Sequence, residues 1–168
     1  MSHRIAFYEL EDGRGIKLLG AGRVPGQELV ASNQVFQERF GERFRGAEFW
    51  LSDYRELDAS EVSVDHSRSI ANIAMGTGRS DLVLAILCTR QLEFAMTRMW
   101  EGQAAPTGWT MAVFNDPASM DDWFVEHLGR TVDPDHLAML ASWVPPEFPL
   151  AAADLLPHGV DKGPCLGE

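Results

Sequence analysis

Two rhythms of apolar and polar positions run along the chain, and the change from one to the other marks its elements. Residues 5–10, with Phe7 and Tyr8, read as a short strand. The run Glu11-Asp12-Gly13-Arg14-Gly15 turns the chain, since Asp and Gly tolerate positive φ. Residues 16–19 then complete a hairpin that Gly20, Gly22 and Pro25-Gly26 end. Over 27–40, Leu29, Phe36 and Phe40 recur at helical spacing, with Gly41 as the stop. Residues 47–54 return to an aromatic-rich strand pattern. After an acid-rich connector over 58–63, a helix is predicted over 64–75, with Ser63 as N-cap, Asp65 at the positive end of the dipole and Gly76-Thr77-Gly78 as terminator.

The run over 82–88, LVLAILC, is unbroken apolar and reads as an inner strand of a parallel sheet, buried on both faces. Thr89 is the expected cap of a helix to about residue 103, with Leu92, Ala95, Met96 and Met99 on its apolar stripe. Residues 109–114 form another strand. Asp116-Pro117 opens a helix facing inward through Met120, Trp123, Phe124 and His127 and ending at Gly129. Asp133-Pro134 repeats that start signal and predicts a last short helix through residue 140. The order β-β-α-β-α-β-α-β-α-α implies an α/β fold: a single mixed, mostly parallel sheet of about five strands with helices packed on it. The domain spans 1–130, an additional short helix 131–143, and a Pro-rich tail 144–168, whose Trp143 and Phe148 are candidates for docking on the chain's own domain or on a partner.

Composition narrows the function. With 14 basic and 25 acidic residues the net charge is −11, which opposes binding to nucleic acid, where affinity comes from neutralising phosphates. The N-terminus lacks a secretory pattern, and no segment is long and apolar enough to span a bilayer. Cys88, in an apolar run, and Cys165, near the C-terminus, make no disulfide framework. A cytoplasmic location is expected. The five histidines have no metal-ligand spacing, and no G-x-S-x-G elbow surrounds a serine. Neither metal nor cofactor is expected. Gly13-Arg14-Gly15 and Gly20-Ala21-Gly22 lack the strand and helix context of a phosphate loop and read as turn glycines.

From Leu84 onward a further signal accumulates. The apolar strand is followed by Leu92-x-Phe94-x3-Arg98-Met99-Trp100-Glu101, and then by Val113-Phe114-x-Asp116 with Trp123 seven residues on. These residues resemble the SpoIIAA-like family, also described as STAS-like or STAS/SEC14-related, with Trp100 where the family's helix motif carries Tyr. The resemblance implies a small α/β sandwich and a non-catalytic module that binds an apolar or lipid-like ligand, a protein partner, or both. Arg90 and Arg98 are then the candidate cations for an acidic head group. Trp50, Met96, Met99, Trp100 and Trp123 are candidate apolar walls. The cleft is expected at the C-terminal ends of the parallel strands, near helix starts at Ser63, Thr89 and Asp116. Relatives that act as protein-binding switches are phosphorylated on a serine in an Asp-Ser-Ser-Gly-type turn. That turn is absent, and Ser63 and Ser67 stand in the comparable connector. A regulatory partner-binding module acting through the acidic surface and the tail is the alternative, and an unrecognised hydrolase or transferase a second one. Peripheral membrane contact and the oligomeric state stay open.

Overall fold

A computed structural model describes residues 3–132 and, for the backbone, residues 137–143. β1 (Arg4–Leu10) and β2 (Gly15–Arg23) form the hairpin, joined through Glu11, Asp12 and Gly13 at positive φ. There follow α1 (Gly26–Phe44), β3 (Phe49–Asp58), α2 (Val64–Gly76), β4 (Val83–Leu87), α3 (Gln91–Ala104), β5 (Thr110–Phe114), α4 (Pro117–Leu128) and β6 (Leu137–Trp143). The strand order is β5-β4-β3-β2-β1-β6. β2 through β5 pair in parallel, while β1 is antiparallel to both β2 and β6. The expected mixed sheet of about five strands is present, with β6 as a sixth at its edge, and β4 is an inner strand of it.

The topology decides where the helices go. From β2 to β5 the chain steps one strand at a time in one direction. Crossovers of constant hand therefore lay α1, α2 and α3 on the same face. Ile16, Leu18, Trp50, Leu84 and Ile86 point to that face and pack with Leu29, Phe36 and Phe44 of α1. The other face carries Phe49, Leu51, Ala85 and Leu87 under Met120 and Phe124 of α4. Alternate side chains of β3 and β4 thus belong to different cores, which explains why LVLAILC has no polar position.

Three local readings change. The helix expected to stop at Gly41 runs to Phe44, because Phe44 is fully buried against Phe36 and Trp50 and that anchorage outweighs one interior glycine. Gly20 and Gly22 lie inside β2 instead of ending it; a Cβ on Gly20 would sit 3.0 Å from the Tyr54 ring, so a larger residue there has to displace that ring. The chain over Leu137–Trp143 is a strand and not the end of a short helix: it pairs with β1, setting Trp143 opposite Ile5 and Leu137 opposite Leu10. An Asp-Pro start signal is local, whereas β1 offers a whole edge of backbone donors and acceptors to an apolar segment. Phe148, Cys165 and the Pro-rich segment lie outside the described residues. Among those described, no helix is long and apolar enough to cross a membrane.

Candidate functional site

Between the α1–α3 layer and the sheet the packing leaves a cavity of about 100 Å³. Its floor is the upper face of the sheet: Leu18, Trp50, Ser52, Tyr54, Leu84 and Ile86. Ile70, Ile73 and Ala74 of α2 form one wall, and Glu93, Met96, Thr97 and Trp100 of α3 another. The reason for the gap lies in α2, whose buried positions are Ser67, Ala71 and Ala74. Small side chains there cannot reach the sheet, and the space beneath them stays open.

Both ends of the cavity are tied down. At the C-terminal end of β3, Glu93 Oε1 accepts from the Ala59 amide at 2.9 Å and Arg90 Nη1 donates to the Leu57 carbonyl at 3.0 Å. These bonds fix the start of α3 to the end of β3. Ser63 caps α2, accepting from the His66 amide while His66 Nδ1 accepts from the Ser63 amide, a closed capping box. At the opposite end Arg79 donates to the carbonyls of Phe44 and Ala47, at 2.6 and 2.7 Å, and its own carbonyl accepts from Trp109 Nε1 at 2.9 Å. That arginine holds the end of α1, the start of β3 and the start of β5 together.

The polar groups around the cavity are mostly engaged with one another. Trp50 Nε1 donates to Ser52 Oγ at 3.0 Å. Burial pushes the Tyr54 phenol up to about 12, against the effect of its hydrogen bond with Ser52. Beside the cavity, the Cys88 thiol reaches Thr97 Oγ1 at 3.6 Å; burial raises it and the nearby Glu93 charge raises it further, against that hydrogen bond. Thr97 in turn donates to the Glu93 carbonyl at 2.6 Å, and the Ser67 hydroxyl donates to Gln103 Oε1 at 2.7 Å. Two groups stand apart. Among the described residues, Glu93 Oε2 and Trp100 Nε1 are buried without a hydrogen-bond partner.

The residues singled out from sequence are distributed unevenly around this space. Trp50, Met96 and Trp100 line it, as does Ser67. Met99 is half-buried and outside the lining, while Trp123 packs on the opposite face with Phe124 and His127. Arg98 is exposed and pairs with Glu101 at 2.5 Å. Arg90 stands at the rim, bound to Leu57. The three helix starts do not converge, because α4, capped by Asp116 at 2.8 Å from the Ser119 amide, lies beneath the other face of the sheet. The N-cap position of α3 is Arg90 instead of Thr89, and its side chain makes no capping hydrogen bond. Glu93, which the sequence offers only as an acid within reach of Arg98, is 1% exposed and lines the cavity, while Arg98 pairs with Glu101. The signal for Glu93 was spacing: Glu93, Met96, Thr97 and Trp100 share one helical face, with the polar members inward.

A second, wider groove of about 620 Å³ runs outside, between the C-terminal halves of α1 and α2. Its walls include Gln34, Glu38, Glu42 and Arg45, open to water, so the more apolar cavity beneath α2 and α3 is the better ligand site. Among the described residues no cluster of His, Cys, Asp and Glu could hold a metal ion.

No family model and no curated protein matches the chain. Among solved structures it is similar to an uncharacterized protein of the DUF3478 family from Shewanella loihica PV-4, described as having a SpoIIAA-like fold. The match has a TM-score of 0.50 at 18% sequence identity and covers 73% of this chain and 95% of the other. The fold expected from the motifs after Leu84 is therefore the fold of the molecule.

Proposed function

We propose that this SpoIIAA-like domain is a binding module that holds a small, mainly apolar molecule between its sheet and α1–α3 and does no chemistry on it. The apolar cavity between the helices and the sheet carries this reading. Ligand sites are concave, predominantly apolar and set with a few oriented polar groups, which describes the space bounded by Trp50, Ile70, Met96 and Trp100 with Ser52, Tyr54 and Glu93 at its edges. At about 100 Å³ it is smaller than the ~150 Å³ void known to admit benzene. The fitting occupant is a short alkyl chain, and a benzene-sized ring or a long lipid chain requires α2 and α3 to part.

The surrounding chemistry supports retention over bond-making. Nucleophiles act when deprotonated or paired with a base, whereas Cys88 and Tyr54 are both pushed toward their neutral forms and the Ser52 hydroxyl is engaged by Trp50. A cytoplasmic setting agrees with the free, buried Cys88. The competing reading, a regulatory module for a basic partner, draws its support from the net charge of −11. Calorimetric titration of the full chain with 1-hexanol separates the two. Saturable one-to-one binding with a negative heat-capacity change supports the cavity. Absence of saturable heat, with a basic partner retained only while residues 144–168 are present, favours the alternative.

A further inference from the structure

The inward face of α3 is partly polar, although Phe94 and Trp100 of the same helix pack against the core. Its buried positions are Glu93, Thr97 and Ala104, whereas Leu92 is 48% exposed. A helix on a sheet ordinarily turns its apolar stripe inward, and departures from that rule concentrate at functional sites. Thr97 is satisfied by the Glu93 carbonyl and the Cys88 thiol. Glu93 is only half satisfied. Its Oε1 holds the Ala59 amide, while Oε2 has no hydrogen-bond partner and the Arg90 guanidinium stands 3.7 Å away. Two turns along the same face, Trp100 Nε1 is also buried and unpartnered. Both residues line the cavity, which sets an unpaired acceptor near the start of α3 and an unpaired donor farther along just behind its wall.

On the reading that the cavity holds a ligand, we infer that this ligand presents a hydrogen-bond donor, a primary amine or a hydroxyl, to Glu93 Oε2. An ionised carboxylate head is disfavoured there. An ionised carboxylate only accepts hydrogen bonds, and a second one facing Glu93 in a site sheltered from water places like charges together. Arg90 does not reverse this sign, because its Nη1 is bound to Leu57 and its side chain is about half exposed at the rim.

Three six-carbon probes, hexylamine, 1-hexanol and hexanoate, test the inference by calorimetry on the full chain. About 0.5 M salt screens the general attraction of an acidic protein for a cation. Hexylamine is expected to bind at least about tenfold more tightly than hexanoate. Glu93→Gln keeps an acceptor for the Ala59 amide and is expected to bring the two within about twofold while 1-hexanol binds as before. Equal affinity of hexylamine and hexanoate for the unaltered protein overturns the inference, and that ratio decides the matter alone should the variant fail to fold. An amine preference that survives Glu93→Gln overturns it too. If 1-hexanol binds without an amine preference, only the head-group inference falls; if no probe binds, the cavity reading falls with it.

Discussion

Ala74→Leu separates a cavity kept open for a ligand from a packing defect. Ala74 is a small residue of α2 at the wall of the cavity and is 7% exposed. Void volume in a protein core costs about 24 cal/mol per Å³. An empty space of about 100 Å³ therefore withholds about 2.4 kcal/mol of stability. A leucine that fills half or more of it recovers about 1–2 kcal/mol. For a chain of 168 residues each kcal/mol moves the Tm by about 2–4 °C, so calorimetric melting is expected to rise by about 2–8 °C. The same leucine occupies the ligand's place, and 1-hexanol binding is expected to disappear. Opposite effects on stability and binding are the signature of a site kept open at a cost in stability. A Tm lowered by several degrees means that the side chains already fill this space and the leucine overpacks it. A raised Tm with undiminished hexanol binding means that the ligand sits elsewhere.

Other outcomes follow from groups away from the cavity. Asp53 is 4% exposed and meets Lys17 Nζ at 3.2 Å and Arg55 Nη2 at 2.7 Å. Burial opposes its ionisation, but the hydrogen bonds of Arg55 and the charge of Lys17 outweigh burial and hold its carboxyl below the ordinary value. Because the folded value is the lower one, the stabilisation is complete above the unfolded value of about 3.9 and is lost as pH falls through the folded one. Asp53→Asn strands Lys17 and is expected to cost about 3–5 kcal/mol in urea unfolding at neutral pH. It is also expected to flatten the decline of stability below about pH 4, and an unchanged acid limb would contradict the assignment. Gly26→Ala puts a Cβ 1.9 Å from His66 Nδ1 and displaces the side chain that closes the α2 capping box, lowering stability by about 1–2 kcal/mol. Gly41→Ala, mid-helix with only the flexible end of Gln37 within 4 Å, is expected to raise stability by about 0.5–1 kcal/mol; denaturant midpoints of the two variants check both signs.

How much of this was legible in the chain depended on whether the deciding interaction was local. The hairpin turn, the Ser63 and Asp116 caps and the Gly129 stop involve near neighbours, and each could be read from the residues themselves. β4 could be read because burial on both faces leaves no polar position in LVLAILC. The strand at Leu137–Trp143 could not, since what makes it a strand is the free edge of β1, more than 120 residues earlier. The site divides the same way. Trp50, Met96 and Trp100 are large apolar residues near predicted helix and strand faces and were natural wall candidates. Glu93 was not, because an acid in the first turn of a helix is usually solvated and favourable to the dipole. The inward face of α3 also mixes polar with apolar residues: Glu93 and Thr97 face in beside Met96 and Trp100, while Leu92 and Ala95 are exposed. Arg90 and Arg98 drew attention as cations, yet the charged group enclosed at the cavity is the acid between them in sequence.

The most direct test of a ligand cavity on the α1–α3 face reads the tryptophan indole N–H resonances by two-dimensional NMR during titration with 1-hexanol. Trp50, Trp100 and Trp109 line the space and Trp123 lies on the far side of the sheet. The account requires the first three signals to shift along one saturable curve while that of Trp123 stays in place. Shifts centred on Trp123, or no saturable change in any indole, would contradict it.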